Sequence, residues 1–300
     1  MSSVERPTRP ILRYHLNGGK WRLAPWIISH FPPHRVYVEP FGGAASVLMR
    51  KPRSYAEIYN DLDGEVVNVF RVLRDPRTAA ELERLIRLTP FSRADFGAAY
   101  TPSPDPVEQA RRTVLKSYAG FGSDSIHRGK ESGMGTRPSR WKAHTGFRSD
   151  SNRSGTTPAK DWAHYPAHIG RFCARLAGVV IESRPALQVI RQYDYPDTLH
   201  YVDPPYPRST RRDGAHGYRH EMSDDDHREL AKVLRAVKGM VIIGGYPCDL
   251  YDRELYPDWR RVERDSRTHG FHQGTEVLWI SPNVPQRQPS LFHEEECSNG

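Results

Sequence analysis

The segment Val36-Tyr37-Val38-Glu39-Pro40-Phe41-Gly42-Gly43-Ala44 constrains the fold more than any other. A short β-branched run, Val36 to Glu39, empties into a proline and two glycines, and Ala44 to Arg50 then reads as a helix. Backbone approaches a ligand closely at such a turn, because glycine has no side chain to hold it off and tolerates positive φ. Taken alone, the turn serves a ligand-free fold equally well. Tyr55 to Tyr59 reads as a second strand and Glu65 to Arg74 as a second helix. Strand, glycine turn, helix, strand is the rhythm of a parallel α/β sheet.

Upstream, Trp21 to Phe31 is an apolar-periodic helix ended by Pro32-Pro33. Downstream, Arg77 to Leu88 continues as helix, and from Pro90 the texture changes to a mixed stretch with few periodic apolar runs. Its centre, between Gly120 and Lys160, is too polar and glycine-rich to build a core of its own. The α/β rhythm resumes with a helix over His168 to Leu176, a strand over Val179 to Glu182, a helix over Ala186 to Gln192 and a strand over Leu199 to Val202. Ser223 is an N-cap for a helix over Asp224 to Val237, with acids in its first turn where the dipole favours them. Met240 to Ile243, Trp259 to Arg264 and Glu276 to Ile280 read as strands, and Tyr251 to Tyr256 as a short helical piece. The organisation expected is a core over 1–89 and 166–285, an inserted region over 90–165, and a tail over 286–300.

Two further groups carry chemistry. Tyr59-Asn60-Asp61-Leu62-Asp63 closes the second strand with carboxylates about twenty residues after the glycine turn, where nucleotide-binding α/β folds place an acid against ribose hydroxyls. Asp61 is assigned to that ribose; helix capping accounts for one of the two acids. Leu199-His200-Tyr201-Val202-Asp203-Pro204-Pro205-Tyr206 is a strand ending in an acid, two stiff prolines and an aromatic ring. The Asp203 carboxylate is placed to accept hydrogen bonds from an amino group, and the Tyr206 ring to offer a planar base a stacking face.

Composition narrows the partners. The formal net charge is +8, largely from arginine, so the chain attracts polyanions, nucleic acid first among them. The three cysteines are widely spaced without a CxxC pair, and no HExxH occurs among the fourteen histidines, so neither a disulfide framework, nor a zinc site, nor any other metal is expected. No segment approaches the roughly 20 apolar residues of a membrane span, and MSSVERPTRP has no apolar signal core. A reducing cytoplasm is the expected setting, with no membrane partner.

These residues resemble the Dam-type, α-group family of DNA adenine-N6 methyltransferases, including its phage and restriction-associated members. Asn17-Gly18-Gly19-Lys20-Trp21 resembles the family's N-terminal motif, Glu39 to Gly43 its cofactor loop, Asn60-Asp61 its ribose acid, and Asp203 to Tyr206 its catalytic motif. Arg111 to Ser123 resembles the segment that begins its recognition region, and Gly245-Tyr246 and Glu276 to Ile280 its late strands. Where the family often has a further glycine, Ala44-Ala45 stand here.

The resemblance implies a Rossmann-like methyltransferase sheet with an inserted, mostly helical and loop target-recognition region. It implies S-adenosylmethionine held by Lys20, Trp21, Glu39, Pro40, Phe41, Gly42, Gly43, Asp61 and Asp203. Catalysis falls to Asp203, Pro204, Pro205 and Tyr206, by direct methyl transfer to an adenine flipped out of double-stranded DNA. Arg128, Arg137, Arg140 and Lys142 in the insertion, and Arg208, Arg211 and Arg212 after the motif, are candidate DNA contacts. The resemblance admits a cognate restriction endonuclease as partner, and a monomer or weak dimer. Competing readings are the same fold acting on cytosine N4 or RNA adenine, and a catalytically silent DNA-binding relic. A nicotinamide site is disfavoured because no GxGxxG follows the first strand.

Overall fold

A computed structural model describes residues 6–13, 20–120, 146–148, 156–211, 218–267 and 273–285. After Lys20 come helix α1 (Ala24–Ser29), strand β1 (Val36–Glu39), helix α2 (Ser46–Arg50) and strand β2 (Ala56–Asn60). Helices α3 (Gly64–Arg74), α4 (Pro76–Arg87), α5 (Arg93–Ala98) and α6 (Pro106–Ala119) follow. The chain then forms α7 (Pro158–His164), a 3-10 turn, α8 (Ile169–Leu176), β3 (Val179–Glu182), α9 (Ala186–Gln192) and β4 (Thr198–Val202). It closes with α10 (Asp224–Ala236), β5 (Met240–Gly245), a π-helical turn (Leu250–Leu255), β6 (Arg260–Arg267) and β7 (Gln273–Ile280).

The strands make one sheet in the order β3-β2-β1-β4-β5-β7-β6, the Rossmann-like arrangement expected. β1 to β5 are parallel, and β7 lies antiparallel between β5 and β6. Every residue of β4 and β5 is buried, as strands covered by helices on both faces must be. Alternate side chains feed two cores, because successive residues of a strand point to opposite faces. Tyr37, Tyr59, Tyr201 and Leu278 join α3, α4, α6 and α8 on one face. Val202, Ile243, Val277 and Trp279 join α10 on the other.

The site is positioned by the reversal between β1 and β4. Val36 to Val38 of β1 pair with Ala56 to Ile58 on one side and with Thr198 to His200 on the other. Loops leaving neighbouring strands at such a switch point part toward opposite faces and open a crevice at the carboxyl ends. Those loops carry Pro40 to Gly43 and Asp203 to Tyr206.

Four expectations change in detail. α1 starts at Ala24, not Trp21, because Lys20 to Leu23 form a turn closed by the Ala24 amide on the Lys20 carbonyl at 2.7 Å. α2 starts at Ser46, because Gly43 and Ala45 both have left-handed φ, 48° and 51°. β6 and β7 run longer than expected, as an antiparallel pair whose register extends from Arg260–Ile280 to Arg267–Gln273. The mixed stretch after Pro90 carries, after the short α5, a fourteen-residue helix, α6, capped by Asp105 with Pro106 in its first turn. α6 packs on α3 and α4, and Val107, Val114, Leu115 and Tyr118 belong to the larger core, as do Trp162 and Tyr165. The flanks of the expected insertion are therefore core. Its middle, 121–145 and 149–155, lies outside the described residues.

An N-terminal strap lies across these flanks. Tyr118 and Tyr165 donate to the Pro10 and Ile11 carbonyls at 2.8 and 3.0 Å, and Arg9 and Arg13 pair with the buried Asp161 at 2.8 and 2.6 Å. No helix among the described residues is long and apolar enough to cross a membrane.

Candidate active site

The loop after β1 is held by β2. Asn60, fully buried, donates to the Pro40 carbonyl at 2.8 Å and exchanges two 3.0 Å bonds with the backbone of Arg184, tying three strand-end loops together. The Gly42 amide donates to the Asn60 carbonyl at 2.7 Å, and a Cβ on Gly42 would collide with the Tyr59 ring. The Gly43 amide donates to Asp61 Oδ2 at 2.8 Å, while Asp61 Oδ1 accepts from the Asp63 amide at 2.8 Å. Asp61 therefore braces the glycine turn. Its carboxyl is raised above the ordinary range by burial, against the backbone donors of Asp63 and Gly43. Asp63 is the capping acid: it accepts from the Glu65 amide at 3.0 Å at the start of α3.

Glu39 turns inward. It is 3% exposed and accepts from the Tyr37 hydroxyl at 2.8 Å and the Leu48 amide at 3.1 Å. α2 has no side-chain cap of its own, so Glu39 satisfies one of its orphan first-turn amides. Burial raises the Glu39 pKa to about 8, against the hydrogen bonds from Tyr37 and Leu48. Trp21 packs on the larger core, with its carbonyl accepting from Arg50 at 2.6 Å, and Phe41 packs on the smaller one.

The turn after β4 carries a buried polar cluster. Pro204, Pro205 and Tyr206 are buried, and Asp203 keeps partial exposure. Lys20, itself 5% exposed, places Nζ against the Tyr206 hydroxyl, 2.7 Å from Glu276 Oε2 and 3.4 Å from Asp203 Oδ1. The Tyr206 hydroxyl lies 3.3 Å from Asp203 Oδ1 and 3.5 Å from Glu276 Oε2. Burial would lower the Lys20 pKa, but the charges of Asp203 and Glu276 outweigh it and raise it. Burial raises the Asp203 pKa to about 6, with Lys20 opposing and Glu276 reinforcing the shift.

Tyr206 departs from the expected role of an open stacking face. It is 2% exposed, and its ring meets Tyr246 edge-on with centroids 4.7 Å apart. Arg211 departs from the expected DNA contact. Its side chain is 6% exposed, pairs with Glu221 at 2.7 Å and donates through Nε to the Tyr206 carbonyl at 2.9 Å, so it anchors the motif turn. Arg219 pairs with Asp63 at 3.1 Å and Glu65 at 3.4 Å, at the start of α3. Arg208 is exposed. Arg128, Arg137, Arg140, Lys142 and Arg212 lie outside the described residues, as do Asn17 to Gly19.

The cluster brings together Lys20, Asp203 and Tyr206 of the motifs with Glu276 and Tyr246, to which the motifs assign no role. A signal for Glu276 exists in the sequence: it begins the apolar run Val277 to Ile280, and a buried carboxylate requires a charged partner. What the sequence lacks is any sign that the partner stands some 250 positions earlier. No group of three or more potential metal ligands occurs among the described residues.

No curated protein shows significant similarity to the chain. The family match covers the Lys20 turn, the Gly42-Gly43 loop and Asp61, and stops before the Asp203 turn. Residues 17–96 match the family model of the D12 class N6 adenine-specific DNA methyltransferases, the enzyme family that the motif resemblance indicates.

Proposed function

We propose that the chain transfers a methyl group from S-adenosylmethionine to the N6 amino group of adenine in double-stranded DNA. The observation that carries this reading is the position of the Asp203 turn. It shares the β1/β4 switch point with the Gly42-Gly43 loop, which Asp61 braces, in a chain whose residues 17–96 match that family. The donor set suits the cofactor: each Asp61 oxygen holds one backbone amide and retains lone-pair capacity for a ribose hydroxyl.

When bound, S-adenosylmethionine supplies an electrophilic methyl group. The protein's part is to present the amine. An adenine amino group inside a duplex is out of reach, so the base is turned out of the stack. The Asp203 carboxylate and the Pro204 carbonyl accept hydrogen bonds from the amino group, which localise its lone pair on nitrogen. Asp203 acts as acceptor when ionised, so transfer falls as pH drops through about 6. The basic residues of 121–155, Arg128, Arg137, Arg140 and Lys142 among them, supply target contacts.

The test is methyl transfer from labelled S-adenosylmethionine to unmethylated genomic DNA, with the product identified as a nucleoside by mass spectrometry. N6-methyladenine is the expected product. N4-methylcytosine, or no product on DNA, overturns the reading.

A further inference from the structure

Amine presentation as described uses neither of two charged groups of the cluster, and the motif resemblance gives Lys20 a part only in holding the cofactor. Lys20, from the turn before α1, and Glu276, from β7, are both nearly buried and paired at 2.7 Å. Lys20 Nζ is 3.4 Å from Asp203 Oδ1, so one ammonium is shared between two carboxylates, with the Tyr206 hydroxyl touching all three groups. A buried Lys–Asp pair with no third member would close the ammonium on Asp203, stabilise its charge and weaken the carboxylate as an acceptor for the substrate amine. Glu276 supplies the competing acceptor.

We propose that Glu276 is a positioning residue of the transfer site: by holding the Lys20 ammonium at 2.7 Å, it keeps the Asp203 carboxylate available to the incoming amino group. The inference rests on the methyl-transfer reading, since it concerns Asp203 as the amine's acceptor. Other groups acting on this cluster are Glu39 from β1, Tyr201 from β4, Tyr246 after β5, Tyr251 from the π-helical turn and Tyr218 before α10. Arg264 of β6 stands opposite Glu276 in register and is exposed. None of these replaces Glu276, because among the described carboxylates only Asp203 and Glu276 form ion pairs with Lys20.

Glu276→Gln removes the competitor and a like charge beside Asp203. Both changes favour the ionised Asp203, so its titration midpoint moves below about 6 while Lys20 closes on it. The experiment combines a carboxyl 13C titration of Asp203 with single-turnover transfer across pH. In Glu276→Gln the midpoint and the acid limb are expected to fall together by about one pH unit, and the plateau rate by about tenfold, with cofactor affinity unchanged. Glu276→Asp, which keeps the charge, should recover most of both. In a Lys20→Met background, where no ammonium remains to be held, Glu276→Gln should cost no further rate.

An unmoved Asp203 midpoint in Glu276→Gln overturns the proposal, as does a rate loss that adds in full to that of Lys20→Met. The titration needs no methyl transfer. A wild-type protein inactive on DNA would therefore sink the functional reading, whereas an unmoved midpoint would sink this one alone. Should Glu276→Gln not fold, the Lys20→Met/Glu276→Gln protein, with neither charge left unpaired, still decides the question against Lys20→Met.

Discussion

Gly42 and Ala45 show how little room the turn after β1 leaves. A methyl group on Gly42 has no space, since the Tyr59 ring occupies it and the Asn60 carbonyl lies 3.0 Å away. Gly42→Ala is expected to destabilise the protein by about 1–3 kcal/mol through overpacking and to displace the loop. Ala45, by contrast, holds a left-handed φ of 51° that a glycine would adopt without strain. Ala45→Gly relieves roughly 1–2 kcal/mol of that strain. It also loses a buried methyl, worth about 0.8 kcal/mol, and gains unfolded-state freedom worth about 0.4–1 kcal/mol. The net effect should be close to zero. Urea unfolding checks both, and a Gly42→Ala protein as stable as its parent contradicts the packing argument. The glycine pair was legible from sequence as a close approach, but what approaches Gly42 in the structure is the ring of Tyr59.

At the scale of elements, β2 carries a second buried charge cluster on the core side of the sheet. Glu57 is 3% exposed and meets Lys51 and Arg175 at 2.6 Å each. Burial lowers the Lys51 pKa to about 8 despite the pull of Glu57. Glu57→Gln would leave two cations facing each other in the interior, and a loss of about 3–5 kcal/mol is expected in equilibrium unfolding. A loss under about 1 kcal/mol would show that the cluster relaxes to solvent. Capping and periodicity made most elements legible: Asp63 and Ser223 cap α3 and α10, and the strands fall within a few residues of their expected spans. α6 was not legible as core, for a physical reason. Thr113, Lys116 and Ser117 are buried among its apolar residues, with Lys116 paired to Glu65 at 2.7 Å, so no polar face marks the period of its second half. The anchoring contact of Arg211 was not legible for the converse reason: among neighbouring loop arginines, nothing local reveals the carbonyl of Tyr206 as its partner.

At the scale of the molecule, the sheet brings together residues from the two ends of the chain. Lys20 precedes β1 and Glu276 lies in β7, the strand inserted between β5 and β6, so the cluster forms only when the sheet is complete. Its membership was half legible: the local motif carried Asp203 and Tyr206, whereas Glu276 depends on strand order. The net charge of +8 belongs to this scale too. If several phosphates are contacted, DNA affinity should fall with salt at a log–log slope of about −0.9 per contact, and binding insensitive to salt would contradict DNA as the partner. The central claim, that the main role of Asp203 is to present the amine, beyond any part in holding the cofactor, is tested most directly by pairing two quantities in Asp203→Ala: S-adenosylmethionine affinity and the single-turnover rate on DNA. The account requires the rate to fall on the order of a hundredfold or more with cofactor affinity nearly unchanged. A wild-type rate, or a rate loss that follows weakened cofactor binding alone, would contradict it.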